Sequence, residues 1–242
     1  MSWDFCFTCT CRTGKKIESH MKADVLVLGA TKRELEGVLT KLGEPLVLAG
    51  REVVGLTLGV GKVQSALAAM QAVHTYAPSS VVLLGYAGAI DAGLAIGDGF
   101  VATKVVQYDL DLRAFALQRG QTFDENSKVA ASTIDLYAPA LSGFKQVVLG
   151  TADRFLLRSY REQNPYLSEE LGLQASDMEG FAVARACQVL GLPCSILKVV
   201  SDDGLGRRPK DFKRFVRQAD ECLRMGLAQL LELPSEKSPT SL

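Results

Sequence analysis

Charge of neither sign is in excess. The chain of 242 residues sets 27 Lys and Arg against 27 Asp and Glu, a formal net charge of zero. Without a basic surplus there is nothing to draw nucleic acid or an anionic membrane surface. Long apolar runs are missing as well, since none reaches the ~18–20 residues that a bilayer-spanning helix needs. The first residues have no basic flank followed by an apolar core, so they do not read as a secretory signal. Neither a full phosphate loop nor a G-x-G-x-x-G fingerprint occurs, and "GVGK" (59–62) completes neither. Histidine appears twice, and His74 falls late in an apolar helical pattern, where a half-buried surface position is expected.

Cysteine is present but does not form a metal site on paper. Cys6, Cys9 and Cys11 stand in the leader "MSWDFCFTCTCRTGKKIESHM", with His20 the one nearby extra ligand. A structural zinc takes four ligands, and no second knuckle follows, so no metal is expected. "SHMKADVLVLG" reads as a start codon behind a leader or vector-derived segment. The expected division is therefore a leader over 1–20, one domain over 21–233, and a polar tail over 234–242 expected to be disordered. Cys187, Cys194 and Cys222 fall in core-like segments and read as thiols of a reducing cytoplasm.

With 48% hydrophobic and 22% charged residues, the chain has enough apolar content for one large α/β domain or two small ones. Apolar runs at 23–30, 51–59, 79–90, 98–111, 144–155 and 193–204 read as strands, several apolar on both faces. Helical spacing appears at 33–43 through Leu35, Val38, Leu39 and Leu42, and again at 60–78, 178–193 and 211–233. Strands alternating with helices predict an α/β layered domain with a largely parallel sheet. In such sheets ligands bind beyond the carboxyl ends of the strands. The residues there are "GATKRE", "GVGK", "GYAGA", "YDLD", "TADRF" and "SDDG".

Three carboxylates stand at or beside these strand ends: Glu34, Glu179 and Asp202. Each has an ordinary structural explanation. Glu34 and Glu179 suit the positive end of a helix dipole. Asp202, with Ser201 and Gly204 beside it, suits a cap or turn. Taken one at a time they identify nothing.

The ordered set is more specific. "GATKRE", "GVGKVQSALA", "GYAGAI…IGD", "YDLDLRAFALQRGQ", "TADRF", "SDMEGFAVA" and "KVVSDDG" resemble the motifs of methylthioadenosine/S-adenosylhomocysteine nucleosidases, within the nucleoside phosphorylase and hydrolase superfamily. The resemblance runs over nearly all of 22–232. It implies a nucleoside phosphorylase-like three-layer α/β sandwich, a central mixed sheet flanked by helices, assembled as a homodimer and working without a cofactor. It also implies hydrolysis of the N-glycosidic bond of a small-molecule nucleoside carrying adenine and a 5′-thio-substituted ribose. Adenine leaves poorly as an anion, so an acid must protonate it as the bond stretches. By resemblance that acid is Asp202, its pKa raised by burial beside Asp203. The base that activates water is Glu34. Glu179 accepts from two ribose hydroxyls, as an ionised carboxylate can, and Met178 packs along the sugar. Asp177 is expected only to cap. Phe155 stacks on adenine and the backbone near Leu156 reads its edge. Ala87, Gly88 and Ser201 adjoin the site. Phe212, and Phe115 from a partner subunit, line the 5′-alkylthio pocket.

Two positions depart from the family pattern. Gly85-Tyr86-Ala87-Gly88 stands for Gly-Ser-Ala-Gly, and Lys198 stands for an Arg. Tyrosine is far larger than serine, and lysine cannot copy a planar fork. The Tyr86 hydroxyl is expected to take over the serine's polar task. Thr31 replaces an apolar residue near the 5′ group. Rival readings are a phosphorylase, for which Arg33 and Lys62 are the available anion ligands while Leu83 stands where an arginine is needed; a futalosine hydrolase; and a nucleoside-binding protein without catalysis.

Overall fold

The six apolar runs all become strands. In chain order the elements are β1 (Val25–Gly29), β2 (Pro45–Leu48), β3 (Arg51–Thr57), α1 (Lys62–Tyr76), β4 (Ser80–Ala89), β5 (Gly99–Gln107), β6 (Gln121–Phe123), β7 (Val129–Ala131), β8 (Thr133–Asp135), β9 (Lys145–Thr151), α2 (Arg158–Gln163), α3 (Tyr166–Glu169), β10 (Ala175–Asp177), α4 (Gly180–Val189), β11 (Cys194–Asp202) and α5 (Phe212–Glu232). This computed structural model describes residues 22–203 and 205–233. The cysteines at 6, 9 and 11, His20 and the tail 234–242 lie outside the described residues.

One mixed sheet of nine strands runs β10-β9-β5-β11-β4-β1-β3-β2, with β8 added beside β5. β1 lies parallel to β3 and β4, and β4 parallel to β11, whereas β11 and β5 are antiparallel. β10 pairs with β9 on one side and, antiparallel, with β4 on the other. The strands β4, β11, β5, β9 and β10 thus curl into a closed ring, as a strongly twisted sheet can. Their ends surround one opening.

The runs are apolar throughout because both sheet faces are covered. Val25, Val27, Val82, Leu84, Leu197 and Val199 point to the layer held by α5. Their neighbours Leu26, Leu28, Leu83 and Ile196 point to the layer held by α1 and α4. Alternation is present in space but hidden in the sequence, since neither face meets water. α5 buries Phe215, Ala219, Leu223, Leu227, Leu230 and Leu231. Each large side chain so buried contributes about 1.5–3 kcal/mol, and this stripe fixes the helix on the sheet. Asp211 caps it, its carboxylate accepting from Arg214 N at 2.9 Å. Among the described residues no helix is long and apolar enough to cross a membrane.

The helix expected over 33–43 is not there. Only a 3-10 turn forms at Lys32–Glu34, and irregular turns follow. Leu35, Val38 and Leu39 are nevertheless buried, so the apolar spacing records a packed face and not a helix. Gly37 explains the break. A Cβ there would collide with the Asp220 carboxylate of α5, and the Arg224 guanidinium holds the Gly37 carbonyl. The tertiary contact takes the backbone group that a helix needs. His74 is exposed, not half-buried.

Candidate active site

The register between β4 and β11 sets the site. Lys198 lies opposite Gly85, Val200 opposite Ala87, and, after an irregularity, Asp202 opposite Gly88. Both glycines are needed for close approach. A Cβ on Gly88 would stand 2.7 Å from Asp202 Oδ2. A Cβ on Gly85, whose φ is +148°, would strike Glu34 Oε1 and come 3.1 Å from Lys198 Nζ. The two ends of "GYAG" therefore each receive one carboxylate.

Glu34 reaches the site from the turn after β1. Its Oε2 accepts from Thr31 N at 2.8 Å and Thr31 Oγ1 at 3.1 Å, and its Oε1 accepts from Tyr86 N at 3.2 Å. Backbone from two strand ends thus fixes its direction. Glu179 occupies the N-cap of α4, and its Oε1 accepts from Gly61 N at 3.1 Å. Burial raises its pKa above the ordinary carboxylate value, against the opposing pull of the Lys198 charge.

Asp202 ends β11. Its Oδ1 accepts from Ser201 Oγ at 3.0 Å. Its pKa is raised, first by burial; the Ser201 hydrogen bond and the charges of Arg161 and Arg208 oppose the rise, and Asp203 adds to it only as a minor cause. The expected pairing of carboxyls is therefore a small part of the effect. Asp203 itself is turned away: its Oδ2 accepts from Arg207 Nε at 2.7 Å and its Oδ1 from Arg207 N at 2.9 Å. Those bonds hold its pKa below the ordinary value despite desolvation.

A cavity of about 250 Å³ joins these groups. Glu34, Glu179 and Asp202 line it together. So do Tyr86, Ala87 and Gly88 from β4, Ser201 from β11, Met178 beside Glu179, and Phe155, Leu156 and Phe212 on the outer walls. Leu156 is buried, while Phe155 and Phe212 are about half exposed at 48% and 46%.

Lys198 is under the cavity and not on its wall. It is fully buried, and its Nζ lies 3.3 Å from Asp177 Oδ2. Burial alone would lower its pKa, but Asp177, then Glu179 and Glu34, outweigh this and raise it. It is thus a fixed cation beneath carboxylates. Asp177 caps as expected, accepting from Gly180 N at 3.0 Å, and in addition accepts from Thr151 Oγ1 at 2.7 Å and pairs with Lys198. Phe115 is 67% exposed, edge-on to Phe123 with centroids 6.3 Å apart, away from the cavity of its own chain.

Tyr86 does not take the expected polar part. Its ring packs edge-on to Phe215 at 5.4 Å, and its hydroxyl is buried with no hydrogen-bond partner among the described residues. Burial pushes its pKa far up, so it stays a neutral phenol. Strand alternation explains the direction, because β4 sends the Tyr86 ring, which also borders the cavity, to the α5 layer.

Several residues were not singled out from sequence. Arg154 lines the cavity wall beside Phe155, with its Cζ 4.2 Å from the Tyr160 ring centroid. Arg208 sits 5.0 Å from the Phe155 centroid. Arg161 donates to the Asp203 carbonyl at 3.1 Å and carries its charge toward Asp202. Arg154 was visible inside "TADRF". Arg161 lies on a six-residue helix with no apolar periodicity to mark it.

Comparison with known proteins agrees with this geometry. The chain is 29% identical, over 84% of its length and 89% of the relative's, to a 5′-methylthioadenosine/S-adenosylhomocysteine nucleosidase of Shewanella putrefaciens. Its fold matches a crystal structure of the Campylobacter jejuni 5′-methylthioadenosine/S-adenosyl homocysteine nucleosidase with TM-score 0.73 at 24% identity, covering 87% of this chain and 99% of that one. It matches the futalosine hydrolase of Helicobacter pylori with TM-score 0.70 at 26% identity, covering 87% and 100%. The sequence model of the phosphorylase superfamily matches residues 24–232, and on that match this chain, with its mixed sheet and strand-end carboxylates, belongs to the phosphorylase superfamily.

Proposed function

We propose that the protein hydrolyses the N-glycosidic bond of adenosine-type nucleosides with a 5′-thio substituent, releasing adenine and the thio-ribose. The observation that carries this reading is the convergence of Glu34, Glu179 and Asp202 on one cavity, with the Asp202 pKa raised by burial. The relatives' names support the substrate class.

The chemistry follows from the three environments. Asp202, whose protonated form burial favours, gives its proton to a ring nitrogen of adenine as the bond from that base to C1′ breaks. Glu179 has one oxygen engaged by Gly61 N and retains acceptor capacity for the ribose hydroxyls. As positive charge grows on the ribose, water bonds to C1′ from the face opposite the base. Glu34 takes the proton that this water loses. Phe155 offers a flat face to the base, and Phe212 closes the 5′ side.

The phosphorylase reading keeps one of its two anion ligands: Leu83 is fully buried and Lys62 is engaged by Asp109 at 2.5 Å, while Arg33 stands on the cavity wall over Phe212. Futalosine hydrolysis has one observation in its favour, the structural match to that enzyme. A turnover panel of methylthioadenosine, S-adenosylhomocysteine, adenosine and futalosine, with and without phosphate, separates the three. Adenine release that is independent of phosphate is expected. Release only from futalosine, or only with phosphate, overturns the reading.

The Asp202→Asn variant is expected to lose about 10²–10⁴-fold in kcat while melting as the parent does. The raised pKa gives the sign of the pH profile: kcat is sustained while Asp202 is protonated and falls as pH rises through its elevated pKa. A variant with near-parental turnover removes Asp202 from this role.

A further inference from the structure

Carboxylates line the floor of the cavity, and a guanidinium stands at its mouth. Glu34, Asp177, Glu179 and Asp202 line the interior, whereas Arg33 stands on the wall shared with Thr31 and Phe212. The Arg33 Cζ lies 5.5 Å from the Phe212 ring centroid. No hydrogen bond or ion pair ties its guanidinium to a carboxylate among the described residues. Arg113 is tied to Asp111 at 2.5 Å, Arg158 to Glu162 at 2.6 Å and Arg207 to Asp203 at 2.7 Å, while Arg154 and Arg208 lie over the rings of Tyr160 and Phe155. Arg33 is likewise held by an aromatic face, which keeps it on the cavity wall and leaves its N–H edges for another group.

Its place in the cavity tells which part of a ligand it meets. Asp202 and Phe155 mark the end that takes a base, and Glu179 marks the sugar. What remains beyond the sugar is the wall of Thr31, Arg33, Val60 and Phe212. This placement rests on the nucleosidase reading above. The Asp177 charge is paired with Lys198, so a negative arm extending past the sugar meets Arg33 as the lining cation of this wall. A guanidinium pairs with a carboxylate through two parallel N–H donors, a geometry that a neutral alkyl arm cannot use.

We propose that Arg33, seated on Phe212, is a specificity-determining residue that binds a carboxylate at the far end of the 5′ substituent, so that nucleosides with an anionic 5′ arm are preferred over those with a cationic arm. The pair is partly exposed, so its contribution is modest and falls with salt.

The test uses the full chain and two 5′-alkylthioadenosines of equal arm length, one ending in a carboxylate and one in an ammonium group. Dissociation constants come from calorimetry and kcat/KM from adenine release. The parent is expected to favour the carboxylate compound about tenfold at low salt. Arg33→Gln should bring the ratio near one, and Arg33→Glu should reverse it. A ratio left unchanged by both substitutions overturns the proposal. Because both compounds are compared within each variant, a general loss of activity cancels. If the parent releases adenine from neither compound, the nucleosidase reading fails, and the ratio of dissociation constants still decides the role of Arg33.

Discussion

Gly88 carries a side chain's worth of space that Asp202 fills. A methyl at 88 would stand 2.7 Å from Asp202 Oδ2, and the carboxylate is the more mobile partner. Gly88→Ala is therefore expected to leave the melting temperature within a few degrees but to swing the acid off its line. A misplacement of about 1 Å costs on the order of 10²-fold in rate. Steady-state kinetics beside a thermal melt checks this, and unimpaired kcat would show that Asp202 need not sit where it does. Tyr86 makes a contrasting case. Its hydroxyl is buried and unpartnered among the described residues, which costs about 1–3 kcal/mol. Tyr86→Phe keeps the edge contact with Phe215 and removes that cost, so the melting temperature should rise. A fall would reveal a partner for the hydroxyl.

At the level of elements, the sequence exposes what lies at strand ends and hides what comes from pairing between strands. "GYAG", "SDMEG" and "VVSDD" stand out because polar and glycine residues break long apolar runs just where a parallel sheet places its ligands. The core strands were legible for the same reason. The supposed helix at 33–43 misled because Leu35, Val38 and Leu39 repeat at helical spacing, while Gly37 is claimed by Asp220 and Arg224 of α5, almost two hundred positions away. β10 is three residues long and apolar on one side only by context, so "ASD" read as the entry to a helix. The burial of Lys198 was equally hidden: its neighbours Asp177, Glu179 and Glu34 come from other elements. That cluster yields a prediction. Lys198→Met leaves Asp177 buried without its cation, a change expected to cost about 3–5 kcal/mol. Adding Asp177→Asn removes the orphaned charge and should recover much of the loss. Chemical denaturation of the single and double variants measures the coupling, and additive losses would mean that the ion pair contributes nothing.

The whole molecule presents an apolar surface that its own core does not cover. On α1 and the turn before it, Val60, Val63, Leu67 and Met70 recur at helical spacing, with exposures of 56%, 72%, 65% and 39%. Phe115 and Phe123 add a second exposed apolar group. Scattered exposed side chains are ordinary, but a helical stripe of this kind marks a contact surface. Val60 also lines the cavity, so a partner seated on the stripe approaches the mouth of the site. We therefore predict a homodimer in which α1 faces a second copy. Phe115 is exposed and does not line the cavity of its own chain, and in that dimer we predict that it serves the neighbour's. Light scattering at micromolar concentration should give twice the chain mass. Leu67→Glu places a charge in the middle of the stripe and should shift the population to monomer, with little change in the melt of the isolated chain because Leu67 already faces solvent. If Phe115 completes the partner's 5′ wall, Phe115→Ala should raise KM in the dimer and add nothing once Leu67→Glu has separated the copies. A parent protein that is monomeric and fully active at these concentrations would refute the assembly, and equal Phe115→Ala effects in monomer and dimer would refute the shared wall alone.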